Sequence, residues 1–339
     1  MLLVGDSGGT KTHLALKDPN EPVRTPPLVE KTYKSAKYAS LEAIVKDFLT
    51  SAGGDNPDYT VLAVAGPVVG GRSRITNLPW ELDEVVMKET LGLPSVKLLN
   101  DLEATAHFIP FLQPDELHTI NEGTSMVGRN LAVVAVGTGL GEAFLTLEGE
   151  GYKAHATEGG HTNFSPSTPL QISMLRSFQK RFGSQVSVER VCSGIGIRNI
   201  YEFLRRSRFA HEPKWLKTKL KDLDDPVPII METALEHPMQ SELCDATLSN
   251  FLAILGNEVG NFALKTMSLG GIYLGGGIPP KILQALESAT FLEALRKKGR
   301  MTDLVSQIPV HVVLNSHTAL LGTTRYAYDM LGEEKSSPT

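Results

Sequence analysis

The sequence of 339 residues has little of what marks secreted and membrane proteins. Its two cysteines, Cys192 and Cys244, lie far apart, which excludes a cysteine zinc cluster and is typical of a reducing compartment. The longest apolar stretch, residues 131–147, is shorter than the roughly 20 residues of a membrane span and is interrupted by Glu142. Asp6 interrupts the first apolar run too early for a signal peptide. We therefore expect a soluble, cytoplasmic protein with no membrane partner.

A surplus of positive charge is also absent. The chain carries 33 lysines and arginines against 38 aspartates and glutamates, a net charge of −5, which argues against nucleic acid as a partner. Two basic clusters, 205–208 and 296–300, fall where helices are expected to end, so we interpret both as solvated surface. Hydrophobic residues make up 41% of a chain longer than one core usually serves, which favours a globular protein of two domains.

The first candidate site is a glycine turn near the start of the chain. An apolar run leads to Asp6, and Gly8, Gly9 and Thr10 follow before Lys11 opens a second alternating run. This order predicts two antiparallel strands joined by a tight turn. Because glycine lets backbone N–H groups approach an anion closely, the turn predicts a phosphate site, with Asp6 placed to hold Mg²⁺ through water. The alternative is an ordinary hairpin whose aspartate caps the turn, with the lysine pointing away.

A second hairpin of the same type begins near residue 130. An apolar strand turns on Gly137, Thr138 and Gly139 and returns through a second apolar run at 143–147. A hairpin with a Gly/Thr turn therefore opens each half of the chain. This weak internal repeat predicts two similarly folded domains whose hairpins face one cleft, the alternative being a coincidence of two glycine-rich turns.

Apolar periodicity along the rest of the chain predicts an α/β protein with mixed sheets. Strands are expected at 28–33, 60–65, 96–99, 131–136, 151–156, 271–274 and 309–314, and helices at 41–51 after a Ser40 cap, at 83–90, from 103, and at 187–205, 227–235, 241–267 and 317–331. The charged segment 206–226 lacks periodicity, so we interpret it as a surface insertion.

Five polar residues are candidates for a catalytic or ligand-binding site. Asn100 and Asp101 follow a strand at the start of a helix, the edge of an α/β sheet at which ligands bind. Glu158 and His161, separated by two glycines, and Glu189 supply carboxylate and imidazole groups that can bind a polar ligand. Three of them have a structural alternative: a helix cap for Asp101, a buried core histidine for His161, and a charge at a helix start for Glu189.

Taken in order, these motifs resemble a known superfamily. Asp6-x-Gly-Gly-Thr10, Gly137-Thr138-Gly139 and Gly275-Gly276-Gly277 resemble the two phosphate loops and the adenosine loop of the actin and hexokinase ATPases. Further motifs resemble the bacterial-type glucokinases: Ala65-Gly66-Pro67, Thr76-Asn77-Leu78-Pro79-Trp80, Leu99-Asn100-Asp101, Glu158-Gly159-Gly160-His161, Val188-Glu189-Arg190-Val191 and Ser193-Gly194. The similarity runs from residue 1 to about 328.

The resemblance implies a fold and a reaction. The fold is the two-domain actin-like/hexokinase (ribonuclease H-like) α/β fold with mixed sheets and an interdomain cleft, a small domain at 1–110 plus 317–339 and a large one at 111–316. The reaction is the transfer of phosphate from ATP, with Mg²⁺, to the 6-hydroxyl of D-glucose, and a homodimer is implied as well.

The resemblance also implies residue roles. Asp101 is the catalytic base, and the hexose is bound by Asn100, Asp101, Glu158, His161 and Glu189. No residue ligates a metal directly. ATP is bound by Asp6, Gly8, Gly9, Thr10, Lys11, Gly137, Thr138, Gly139, Gly275, Gly276 and Gly277.

Two alternative functions stay open at this point. One is a kinase for another hexose, such as mannose or an N-acetylated sugar, and the other is an actin-like switching ATPase without sugar chemistry. Related sugar kinases and repressors carry a cysteine-rich zinc motif after the Glu-x-Gly-His motif. Here Asn163-Phe164-Ser165-Pro166 follows instead, which points away from that group.

Overall fold

The computed structural model describes residues 1–54, 56–75 and 78–336. Thr76 and Asn77, which belong to one of the motifs above, lie outside the described residues. The strands are β1 (Leu2–Ser7), β2 (Lys11–Lys17), β3 (Val29–Lys34), β4 (Tyr59–Val64), β5 (Val68–Val69), β6 (Arg72–Arg74), β7 (Glu81–Asp83), β8 (Lys97–Asn100), β9 (Leu117–Asn121), β10 (Leu131–Val136), β11 (Leu140–Glu148), β12 (Gly151–Thr157), β13 (Gly271–Gly275) and β14 (Val310–Val313). The helices are α1 (Leu41–Ser51), α2 (Glu84–Leu91), α3 (Asp101–Phe108), α4 (Pro169–Phe182), α5 (Gly194–Arg206), α6 (Lys214–Leu220), α7 (Val227–Glu236), α8 (Glu242–Thr266), α9 (Leu283–Leu286), α10 (Ala289–Arg296), α11 (Thr302–Ser306) and α12 (Thr318–Ser336).

The chain forms two compact units, and the predicted α/β class with mixed sheets is confirmed. Unit 1 comprises Met1–Gln113, Glu148–Ala156 and Asn315–Thr339, and unit 2 comprises Pro114–Leu147 and Thr157–Leu314. The predicted division into a small domain at 1–110 plus 317–339 and a large one at 111–316 stays a prediction. In the part of the chain that the structure describes, every helix is too short or too polar to cross a bilayer.

The main sheet of unit 1 has the strand order β3-β2-β1-β4-β8. β1 pairs antiparallel with β2 and parallel with β4, and β4 pairs parallel with β8. In this register Ser7 lies beside Val64, and Val64 lies beside Asn100. The three parallel strands therefore finish in one row, which brings Asp6 and Asp101 to the same edge of the sheet.

The last helix, α12, covers one face of this sheet and crosses α3 closely. Leu320 and Ala327 of α12 are buried with Ala104 of α3 and with apolar residues of β1 and β4. At the crossing, a Cβ on Gly322 would overlap the Ala104 carbonyl oxygen. The two helix backbones therefore touch only because this residue has no side chain.

Substitution of Gly322 with alanine is expected to lower the free energy of unfolding by about 1–3 kcal/mol, because the helices must separate to admit a methyl group. Gly332 is a matched control on the same helix, since a Cβ there meets no atom within 4 Å. Gly332→Ala should leave stability unchanged or raise it by up to about 1 kcal/mol through helix propensity. Urea denaturation of both variants tests this, and equal stabilities would contradict the close crossing.

Unit 2 repeats the strand arrangement of unit 1. β10 pairs antiparallel with β11 and parallel with β13, and β13 pairs parallel with β14. The order β11-β10-β13-β14 therefore matches β2-β1-β4-β8, with β9 added antiparallel beyond β14. This correspondence is the structural counterpart of the repeat seen in the sequence, because each glycine turn joins the equivalent pair of antiparallel strands in its own sheet.

Three sequence interpretations are wrong. The predicted helix at 187–205 is a single 3-10 turn at Val188–Arg190 followed by α5, because Ser193 caps a new helix. Segment 206–226 is not only surface, since α6 forms within it and buries Leu216. The cluster 296–300 is not fully solvated: the Arg296 guanidinium donates to Asn121 Oδ1, and the Lys298 ammonium donates to two asparagines of α8.

Candidate active site

The first glycine hairpin, between β1 and β2, is a short turn held closed by backbone and hydroxyl hydrogen bonds. The Gly8 N–H donates to the Lys11 carbonyl (2.8 Å). Ser35 fastens the turn from the side: its N–H donates to the Thr10 carbonyl (3.1 Å) and its hydroxyl to the Gly8 carbonyl (2.8 Å). Thr10 and Lys11 are exposed, so this turn is open to a ligand.

Sequence reasoning missed a row of three buried hydroxyls beneath this turn. Ser7 Oγ lies 2.9 Å from Thr12 Oγ1, which lies 3.1 Å from Ser35 Oγ. Ser7 and Thr12 flank the turn in paired strand positions, a signal that the sequence does offer. Ser35 comes much later in the chain and offers none. The row fixes the shape of the turn because each hydroxyl can both donate and accept.

Asp6 precedes the turn on β1, opposite His13 on β2. Burial raises the pKa of the Asp6 carboxyl above its ordinary value, and the nearby His13 works in the opposite direction. A cation would favour the ionised carboxylate, and Mg²⁺ prefers such oxygen ligands. The residue therefore fits a place beside a magnesium-bound phosphate.

Asn100 and Asp101 have different roles at the start of α3. Asn100 is the helix cap: its Oδ1 accepts from the N–H groups of Leu102 (3.0 Å) and Glu103 (3.1 Å), and its Nδ2 donates to the Gly66 carbonyl (3.1 Å). Asp101 is the first helical residue and is partly exposed, with Oδ1 accepting from the Leu102 N–H (2.8 Å). The capping role that the sequence left open for the aspartate therefore belongs mainly to the asparagine.

The second glycine hairpin lies against the third glycine turn and the start of α5. The Gly137 N–H donates to the Gly139 carbonyl (3.0 Å), and the Gly137 carbonyl accepts from the Gly194 N–H (2.8 Å). Gly276 has a φ of +86°, and a Cβ on it would overlap the Val136 backbone. Unit 2 thus brings together three motifs, at 137–139, 193–194 and 275–277, that are far apart in the sequence.

Glu158 and His161 lie on one exposed 3-10 turn directly after β12. Their side chains are 50% and 61% exposed, with Glu158 Oε2 3.7 Å from His161 Nε2, so both are accessible to a ligand. A histidine buried in the core is thereby ruled out. Gly160 packs against β11, since a Cβ there would overlap the Leu140 carbonyl oxygen. The turn therefore packs against the start of β11, the strand that follows the second glycine turn.

Glu189 also contacts the start of this strand. Its Oε2 accepts from the Leu140 N–H (3.0 Å), and a Cβ on Gly139 would lie 2.5 Å from that oxygen. The sequence paired Glu189 with a sugar and gave no hint of this bond to the hairpin. Unit 2 therefore brings Glu189 and the turn that carries Glu158 to the same residue, Leu140.

Comparison with known proteins identifies the family. A family model described as Glucokinase matches residues 3–330. A protein named Glucokinase from Nostoc punctiforme is 36% identical over 333 residues, spanning 95% of this chain and 97% of its own. The crystal structure of glucokinase from an Antarctic psychrotroph has a TM-score of 0.79 at 30% identity, covering 97% of this chain and 98% of that one. A ROK family glucokinase from Streptomyces griseus, in complex with glucose and AMPPNP, shares the fold with a TM-score of 0.59 at 18% identity, covering 96% of this chain and 98% of that one. This chain belongs to the glucokinase family, and it is a sugar kinase.

Proposed function

We propose that the chain transfers the γ-phosphoryl group of magnesium-bound ATP to the 6-hydroxyl of D-glucose, with Asp101 as the base. The observation that carries the proposal is the edge of the unit 1 sheet, where the first glycine turn follows β1 and Asp101 follows β8, two parallel strands that both pair with β4. Ligands of α/β sheets bind at this edge. The relatives named glucokinase and the structure with bound glucose and AMPPNP support this choice of substrates.

Asp101 would orient the sugar hydroxyl and accept its proton late in the reaction. The sugar oxygen forms a bond to the γ-phosphorus, the bond to the bridging oxygen breaks, and ADP leaves with that oxygen. An aspartate with an ordinary pKa of about 3.9 cannot deprotonate an alcohol in the ground state. In a loose transition state it does not need to, because the proton moves only as the new bond forms. Its position at the first residue of α3 places the carboxyl group at the positive end of the helix dipole.

The glycine turns would bind the nucleotide through backbone N–H groups. The turns at 8–10 and 137–139 offer such groups to the phosphates, with Lys11 and Thr138 beside them, and the turn at 275–277 would receive the adenosine. Magnesium supplies charge neutralisation at the phosphates when it is bound, and Asp6 is the residue that would hold it, through water.

Glu158, His161, Glu189 and Asn100 would bind the other hydroxyls of glucose. Carboxylates accept hydrogen bonds from two hydroxyl groups, and an exposed imidazole can donate or accept. Glu189 already accepts from the Leu140 N–H, so a sugar bound to it would also be tied to the end of the second hairpin. Sugar binding and phosphate binding would then share one strand, β11.

Substitution of Glu158 or Glu189 with glutamine is expected to raise the KM for glucose by about 10–100-fold, the loss that a charged hydrogen bond predicts. The KM for ATP should change by less than about twofold, because no nucleotide group depends on either charge. Glutamine keeps an acceptor oxygen for the Leu140 N–H, so the hairpin stays in place. Exposed Glu150→Gln is the control, and equal losses for glucose and ATP would refute the sugar-binding role.

Thermal unfolding with and without glucose separates a sugar kinase from a switching ATPase. A ligand at 100 times its dissociation constant stabilises the native state by about 2.7 kcal/mol, which a melting curve resolves readily. We expect D-glucose alone to raise Tm, whereas L-glucose should not. A rise with ATP and none with glucose would favour the switching ATPase.

On the family resemblance alone we also propose a homodimer, a cytoplasmic location and a place in glycolysis. Sedimentation velocity tests the proposed homodimer.

A further inference from the structure

Two acidic side chains are buried in unit 2 beneath the Glu158–His161 turn. Glu142 of β11 is 1% exposed and Glu258 of α8 is 4% exposed, and in each the Oε1 atom is buried without a hydrogen-bond partner. The other oxygen of Glu142 reaches the turn itself, because a Cβ on Gly159 would overlap it. The mechanism proposed above uses neither residue, so their burial is unexplained by it.

The backbone of Glu142 is tied to the same turn. Thr157 Oγ1 donates to the Glu142 carbonyl (2.6 Å) and accepts from the Gly159 N–H (3.1 Å). Glu142 therefore supports the turn twice, through its main chain and through its carboxyl group. Any movement of this carboxyl group is transmitted to Gly159 because the two are in direct contact.

Several ionisable groups face the pair from the elements packed around it. Lys265 Nζ lies 3.8 Å from Glu258 Oε1, and Cys192 is a fully buried thiol close enough to feel both carboxylates. Lys298, after α10, donates to Asn257 Oδ1 (2.6 Å) and to Asn261 Oδ1, and Asn261 in turn lies 3.4 Å from Glu258 Oε2. Above the pair, Glu158 and His161 are exposed.

The pair does not have the form of a metal site. Among the described residues, neither Glu142 nor Glu258 belongs to a group of three or more potential ligands close enough to share an ion. Two buried carboxylates with one exposed lysine beside them, Lys265 at Glu258, favour a state in which one of the two acids keeps its proton. Burial and the charge of Glu258 raise the pKa of Glu142 to about 8, with Lys265 opposing, so Glu142 is the protonated member near neutrality.

We propose that Glu142 is a positioning residue for the sugar site: its neutral carboxyl group seats the Gly159 turn, and the turn holds Glu158 and His161 in place for the hexose. The inference rests on the proposed sugar-binding role of that turn. When Glu142 loses its proton, a second negative charge arises beside Glu258 in a medium that screens charge poorly. The two carboxylates then repel each other, and the turn shifts with Glu142.

The sign of the pH dependence follows from this arrangement. The Glu142 pKa is higher in the folded protein than its ordinary value of 4.5, so the folded state holds the proton more tightly than the unfolded state. The contribution of the Glu142 proton to stability is complete below pH 4.5, the ordinary pKa of the group, and is lost as the pH rises through about 8. Affinity for glucose should fall over the upper part of that window, whereas affinity for ATP should not.

The test is the KM for each substrate between about pH 7 and about pH 9.5, which brackets the raised pKa of about 8. For the unmodified protein we expect the KM for glucose to rise by about fivefold or more, a typical coupling between sites, with the KM for ATP flat. Glu142→Gln keeps the shape and the neutral state of the acid, so its glucose KM should stay flat over the same range. Lys298→Arg is the control for the other group whose pKa lies at about 8, and in this variant the KM for glucose should still rise with pH.

Each outcome decides the proposal. A flat glucose KM in the unmodified protein overturns it, as does a rise that persists in Glu142→Gln or disappears in Lys298→Arg. If Glu142→Gln does not fold, Glu142→Met supplies a neutral side chain of similar length for the same comparison. Absence of glucose-dependent turnover at about pH 7 would instead refute the proposed function, because that pH lies below the transition.

Discussion

Substitution of Asp101 with alanine is expected to lower kcat by about 10²–10⁴-fold, or roughly 3–5 kcal/mol of activation free energy, the usual contribution of a positioned acid or base. The loss falls on kcat because the carboxylate acts while the proton of the sugar hydroxyl is being transferred. The helix should survive the substitution, since Asn100, and not Asp101, accepts from the N–H groups of both Leu102 and Glu103. Steady-state kinetics together with a melting curve measures both effects.

Two further variants make this result specific. Asp101→Asn keeps the size and the acceptor oxygen but removes the charge, so it should lose nearly as much activity as alanine if proton acceptance matters. Asp115→Ala removes an exposed aspartate of a 3-10 turn in unit 2 and should leave kcat within about twofold. An Asp101→Ala protein that keeps more than about a tenth of the activity would exclude this residue as the base.

Substitution of Gly160 with alanine is expected to lower kcat/KM for glucose by about 10²-fold. A Cβ at this position would overlap the Leu140 carbonyl oxygen, and backbone cannot move aside as a flexible side chain can. The turn must lift away from β11 and carry Glu158 and His161 with it. A displacement of about 1 Å at a substrate-positioning group can reduce activity by this factor.

Gly151→Ala is the matched control for this substitution. Gly151 opens β12 and is exposed, and a Cβ there meets nothing within 4 Å. Its kinetics should match those of the unmodified protein. Circular dichroism of both variants separates a shifted turn from a misfolded chain. A folded Gly160→Ala protein with unchanged kcat/KM would show that the turn does not position the sugar.

Local structure was predictable where a short segment carries its own signal. Ser40 followed by an apolar stripe predicted the first helix, and the structure has α1 at Leu41–Ser51 with the Ser40 hydroxyl accepting from the Ala43 N–H. The run at 131–136 predicted a strand with the bounds of β10. Caps and apolar periodicity act within a few residues, so the local sequence is enough to predict a helix or strand of this kind.

Contacts between distant segments were not predictable in this way. Glu142 follows Gly141 in β11 and looks like any polar strand residue, yet it is buried and close enough to Glu258 of α8 to feel its charge. Lys298 stands in a basic cluster typical of surface, but its ammonium is bound by Asn257 and Asn261. Glu189 was assigned to a sugar, and its bond to the Leu140 N–H depends on how the 3-10 turn at Val188–Arg190 approaches β11. Each of these follows from tertiary packing, which no local pattern specifies.

The most direct test of the central claim is ADP formation by the purified protein with ATP, Mg²⁺ and a panel of hexoses, compared with the same reactions after chelation of the metal. We expect D-glucose to give a kcat/KM well above those of mannose, fructose and N-acetylglucosamine, with glucose 6-phosphate as the product and no turnover without the metal. Preference for another hexose would keep the mechanism and change the substrate. Absence of any sugar-dependent ADP formation would contradict the account.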